Sequence, residues 1–294
     1  MGFEQAYASL TGLAVANAFG GQIPPLNGET AVLALSTAPW RWTDSTEMAC
    51  SVVDVLTCFD RVDQEALAER LAARCEHSRG YHPGTTQVLA RLRSGESWHQ
   101  AASGACDGHG ASDSGAATRA APLGAWFCDN LPRALREAEL SAAVTHANFE
   151  GIDGAVAVSA AAALRGASPG LAGTDLLVRV VPLVSPGSVR EGLSVALDLL
   201  QTDADPRDAA RILGAGQDRS ARDSVPLALW IAARHANDFA TALWMIARLA
   251  DDVAAIASII GGVIAAGTGR PGIPPDWYAS TECLPPWLGT YAGT

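Results

Sequence analysis

Aromatic residues make up only 6% of this 294-residue chain and charged residues 17%, whereas 49% is hydrophobic. That balance excludes disorder as the main state and suffices for a sizeable core, read as one domain over residues 1–294. The six cysteines, Cys50, Cys58, Cys75, Cys106, Cys128 and Cys283, include no CxxC pair, and MGFEQAYASL lacks a basic segment followed by an apolar run. No secretory leader is expected, and a cytoplasmic location with reduced thiols is. The longest apolar stretch, 253–267, falls short of the ~20 residues that a membrane span needs and is interrupted by Gly261 and Gly262. No membrane partner is expected. Positive charge is also scarce: 20 basic residues stand against 31 acidic ones, giving a net charge of -11 and a pI near 4.9. Such a chain repels nucleic acid, so no nucleic-acid partner is expected. An anionic ligand would need a local site of helix N-termini, backbone amides, a few arginines or a divalent metal.

What is present is Ala, Leu and Val at spacings of three and four, which predicts an all-α fold. The pattern places helices over 5–19, 46–60, 64–75, 84–94, 97–102, 121–129 and 132–138. The second half adds 151–165, 170–181, 187–201, 205–213, 224–233, 238–249 and 251–267. Two stretches break it, 21–42 and the Gly-rich GACDGHGASDSG at 104–115. Loops of this kind border ligand sites or are exposed slack. There is no internal repeat and no low-complexity tail.

Seven segments carry a further signal: GLAVANAFG (12–20), WTDSTEM (42–48), RGYHPGTTQVL (79–89), SGAATRAAPLG (114–124), THANFEGIDGAVAV (145–158), SVPLALW (224–230) and DVAAIASIIGG (252–262). In this order and spacing the chain resembles the ADP-ribosylglycohydrolase family, which includes the dinitrogenase reductase-activating glycohydrolases. The resemblance implies a helical domain with a central cleft holding two magnesium ions, where the glycosidic bond joining ADP-ribose to a protein side chain is hydrolysed. Two hard cations on carboxylates and a Thr hydroxyl would polarise the ribose and activate a water.

The departures fall on those oxygen ligands. The family's Thr-Asp-Asp-Thr reads Thr43, Asp44, Ser45, Thr46; its Asp-x-Asp-Thr reads Asp252, Val253, Ala254, Ala255; its Gly-Asp-Ala reads Ala16, Asn17, Ala18. Asp44 and Asp252, with Thr43, remain as candidate ligands for at most one weakly held Mg2+, and Asp44 as the candidate catalytic carboxylate. The ligand-binding stretches survive better. By resemblance, Ser114, Gly115, Ala116 and Arg119 belong to the pyrophosphate and ribose wrap, although Asp113 and Ser114 replace the usual Gly-Asn. His146 matches Thr-His-x-x-Pro-x-Ala with Phe149 at the proline, and Tyr81, His82 and Gly84 match the bordering loop. Asn17 and Ser45 join them as hydrogen-bonding candidates.

Each has a plainer alternative. Thr43 and Asp44 also suit an N-cap, and Asp251 and Asp252 suit the positive end of a helix. His146 could be a satisfied core histidine and Arg119 half of an ion pair. Cys106, Asp107 and His109 lack the second ligand pair of a zinc site. Trp230, Trp244 and Trp277 serve the core or the cleft rim. Three functions stay open: a fold with an eroded metal site that binds ADP-ribose or a related ligand, an active hydrolase acting on ADP-ribosylated protein with one Mg2+, and recruitment to a different small-molecule reaction.

Overall fold

The computed structural model describes residues 2–24 and 35–288. In the first half come α1 (Gly2–Gly20), α2 (Asp44–Phe59), α3 (Gln64–Arg74), α4 (Pro83–Arg93), α5 (Trp98–Ser103), α6 (Ala121–Trp126) and α7 (Leu131–Ala143). They are followed by α8 (Phe149–Ala167), α9 (Gly173–Val180), α10 (Ser188–Gln201), α11 (Pro206–Leu213), α12 (Ala221–Arg234), α13 (Phe239–Ile246), α14 (Val253–Thr268) and α15 (Pro275–Ser280). Among the described residues there is no strand, only isolated bridges joining Trp40 to Thr281 and Asp113 to Ser220. Every helix expected from periodicity is present, with ends shifted by a few residues. The addition is α15, whose first residue is Pro275; a proline that reads as a stop in sequence is also a good first helical residue, since its missing N–H is an orphan there anyway. Of the expected loop 21–42, residues 25–34 lie outside the described residues.

Burial is continuous from Ser9 to Gly20 in α1 and from Ile256 to Ala266 in α14. Helices apolar on every side belong in the middle of a domain rather than on its face. These two lie against one another so closely that a methyl on Gly12 would sit 2.6 Å from the Gly261 carbonyl oxygen, and one on Gly261 would sit 2.5 Å from that of Gly12. Around them the largest core cluster draws residues from Val15 through to Ile273. A methyl on Gly20 would fall 2.6 Å from the Ala254 Cα, so the end of α1 abuts the beginning of α14. The N-terminus of α2 joins them there. No described helix is long and apolar enough to cross a membrane, and all six cysteines are free thiols.

Candidate functional site

Where α1 ends and α2 and α14 begin, a cleft opens with an empty volume of about 610 Å3, its solvent-open mouth included. Thr43, Asp44 and Ser45 line one wall and Asp252, Ala254 and Ala255 another; the loops carrying Arg79 to Thr85 and Asp113 to Thr118, with Arg219, complete it.

Below the lining, Asn17 is fully buried and ties three helices together. Its Nδ2 donates to Thr43 Oγ1 at 2.9 Å and to the Ala254 carbonyl at 3.1 Å. Its Oδ1 accepts from the Thr43 N–H at 2.7 Å and the Thr46 hydroxyl at 2.9 Å. Thr43 is the N-cap residue of α2 but makes no side-chain cap bond, because its hydroxyl is engaged by Asn17. Asp252 does cap α14, accepting the Ala255 N–H at 3.3 Å, and its Oδ2 lies 3.3 Å from Arg219 Nε.

Asp44 and Asp113 face the same space in opposite electrostatic settings. Burial, reinforced by the charges of Asp252 and Asp113, pushes the Asp44 carboxyl up to about 7 against the pull of hydrogen bonds from Thr43 and the Ser45 amide. Burial acts upward on Asp113 too, but attraction to His146, hydrogen bonds from His146 and the Gly115 N–H, and the nearby His82 hold it well below the ordinary carboxylate range. His146 Nε2 stands 3.2 Å and the Gly115 amide 2.9 Å from Asp113 Oδ1; His82 Nδ1 stands 3.9 Å from Oδ2.

The support behind Asp113 is a buried chain. His146 Nδ1 is 2.7 Å from Thr145 Oγ1, which accepts from Arg119 Nη2 at 2.9 Å. Arg119 also donates to the Ser141 carbonyl at 2.8 Å, and burial lowers its guanidinium to about 10. The ion pair that the sequence allows for Arg119 is not formed: among the described residues no carboxylate lies within 4 Å of it. Tyr81 donates to Glu47 Oε2 at 2.6 Å, bracing its loop against α2. Arg79 is stacked on Trp42 at 3.5 Å and bonded to the Trp42 carbonyl, Glu76 and Glu282.

Of the residues singled out in the sequence, Thr43, Asp44, Ser45, His82, Ser114, Gly115 and Asp252 line the cleft. Asn17, Tyr81, Gly84, Ala116, Arg119 and His146 stand outside the lining, Asn17, Ala116, Arg119 and His146 fully buried behind it. The lining residues not singled out include Arg79, Thr85, Asp113, Thr118 and Arg219. Asp113 had a readable signal, a carboxylate in a Gly-rich loop with a histidine in the following segment. Arg219 had none, since a loop far along the chain brings it in. Among the described residues no three His, Cys, Asp or Glu side chains converge as metal ligands.

The family model described as ADP-ribosylglycohydrolase matches residues 2–292. An uncharacterized protein of Archaeoglobus fulgidus is 36% identical over 124 residues, a match spanning 42% of this chain and 39% of that protein. A solved structure titled "ADP-ribosylglycohydrolase-related protein complex" superposes with a TM-score of 0.66 at 20% identity, covering 96% of this chain and 93% of the other, a likeness of fold.

Proposed function

Since the chain belongs to the ADP-ribosylglycohydrolase family, we propose that its cleft binds ADP-ribose or a related ligand, free or on an ADP-ribosylated protein, with weak or no hydrolysis. The observation that carries this reading is the start of α14. Ala254 and Ala255 line the cleft without a donor atom in their side chains, and the remaining carboxylate, Asp252, is already paired with a guanidinium. Across the cleft, the Thr43 hydroxyl is shared between Asn17 and Asp44. Magnesium requires several oxygen ligands around each ion, and this donor set does not fit two such ions. What remains is an open cleft of small residues and polar groups, where Gly115 and Ser114 present backbone close to the space.

Isothermal titration of ADP-ribose in Mg2+ and again in EDTA tests the reading. The expected result is equal binding in both buffers and little turnover of ADP-ribosylated protein. Binding that needs the metal, or turnover abolished by EDTA, would favour a working hydrolase; absence of binding in both would favour a recruited fold with another ligand.

A further inference from the structure

We propose that Arg219 is the built-in cation of this cleft, holding an anionic group of the ligand, such as a phosphate, with the part of its guanidinium that the protein leaves free. This rests on the reading of the cleft as a site for a phosphate-bearing ligand. The protein as a whole is strongly acidic, and Asp44, Asp113 and Asp252 all line the cleft. An anion entering there needs a local positive partner to offset these charges.

Two arginines line the cleft, and their commitments differ. Arg79 is spent on Trp42, Glu76 and Glu282, and its side chain is only 10% exposed. Arg219 makes a single ion pair, through Nε to Asp252, with its side chain 53% exposed. Among the described residues its Nη1 and Nη2 have no hydrogen-bond partner. A planar guanidinium that meets its counter-charge on the Nε side and has both terminal nitrogens unpartnered has the donors for two-point recognition of an oxyanion.

The backbone holds Arg219 in place. Its φ is +58°, a left-handed conformation that a non-glycine residue adopts at a cost and keeps where the surroundings enforce it. Here they do: its carbonyl accepts the Ser114 N–H at 2.9 Å, the Ala221 N–H reaches the Ser112 carbonyl at 3.0 Å, and the Asp251 N–H reaches the Ala215 carbonyl at 2.9 Å. The loop is thus tied to the 112–114 wall on one side and to the residue before the α14 cap on the other. Asp252 both caps the helix and stands as the counter-charge of the guanidinium.

Titration of inorganic pyrophosphate and of ADP-ribose in EDTA tests this on wild type, Arg219→Gln, Arg219→Lys and Asp252→Asn, each first shown to be folded by circular dichroism. Arg219→Gln is expected to weaken both ligands at least about tenfold, and Arg219→Lys, which keeps the charge but loses the fork, less. Asp252→Asn, by releasing the guanidinium from its counter-charge, is expected to tighten pyrophosphate several-fold. Arg219→Gln within twofold of wild type for both ligands overturns the role of Arg219 while leaving ADP-ribose binding intact. Pyrophosphate bound through Arg219 with ADP-ribose rejected keeps the cation and removes the proposed ligand. Wild type that binds neither overturns both.

Discussion

Asn17 and Thr43 clasp one another through three hydrogen bonds, Asn17 Nδ2 to Thr43 Oγ1 at 2.9 Å and, to Asn17 Oδ1, the Thr43 N–H at 2.7 Å and the Thr43 hydroxyl at 3.1 Å. The same amide nitrogen also reaches the Ala254 carbonyl, so one neutral side chain closes the junction of α1, α2 and α14. A carboxylate there could still accept from Thr43, but it would face the Ala254 carbonyl with an oxygen where a donor is needed. Asn17→Asp is therefore expected to lower stability by on the order of 1–3 kcal/mol, the cost of a buried polar group left without its partner. Urea unfolding at neutral pH reads this directly. A variant as stable as wild type would show that the clasp does not depend on the amide.

The crossing of α1 and α14 gives an independent stability prediction. A methyl on Gly12 would lie 2.3 Å from Ala265 Cβ as well as against the Gly261 carbonyl. Both obstacles are fixed close to the backbone, so relief requires the helices to separate. Gly12→Ala is expected to cost about 1–3 kcal/mol through overpacking, despite alanine's higher helix propensity. Its thermal midpoint should fall below that of wild type. An unchanged or raised midpoint would mean that the helix pair yields readily.

Periodicity located the helices because most of them bury an apolar stripe or are apolar throughout, and that pattern survives in a single sequence. It could not locate the partners of polar atoms. Asn17 stands in sequence as a lost carboxylate, while in space it is a three-helix tie. His146 and Arg119 match motifs of the resemblance, yet they support Asp113 from behind the cleft wall. Arg219 was illegible because its place depends on hydrogen bonds from loop 215–221 to residues Ser112, Ser114 and Asp251, contacts that no local spacing encodes.

Asp113 and Asp44 should shape stability against pH in opposite ways, best measured in EDTA. The Asp113 carboxyl is held low in the folded state, so the unfolded chain binds its proton first as pH falls. Its contribution is present above the ordinary carboxylate range and is lost on acidification below it. Asp44 is pushed up to about 7, so the folded chain holds the proton between the ordinary value and that point, and stability declines as pH rises across this interval. Asp44→Asn should accordingly gain stability at pH 8, by on the order of 1–3 kcal/mol, and little at pH 4. Asp113→Asn should lose stability at pH 7 and approach wild type in strong acid. Parallel curves for wild type and both variants would contradict these assignments.

The chain behind Asp113 has a direction that can be worked out donor by donor. Arginine can only donate, so Thr145 Oγ1 accepts from Arg119 Nη2 and has its own proton to give to His146 Nδ1. In the neutral ring Nδ1 is then the acceptor and Nε2 carries the hydrogen, aimed at Asp113 Oδ1. Nitrogen-15 NMR at a pH where the ring is neutral is expected to show His146 as the Nε2–H tautomer. Thr145→Val keeps the shape but removes both hydrogen bonds, leaving Arg119, whose Nε already lacks a partner, with one fewer acceptor. That variant should lose about 1–3 kcal/mol and show a mixture of tautomers. If wild type carries its proton on Nδ1, the His146–Thr145 bond is reversed, with Thr145 Oγ1 accepting from both His146 and Arg119, and Asp113 must draw its hydrogen bond from Gly115 alone.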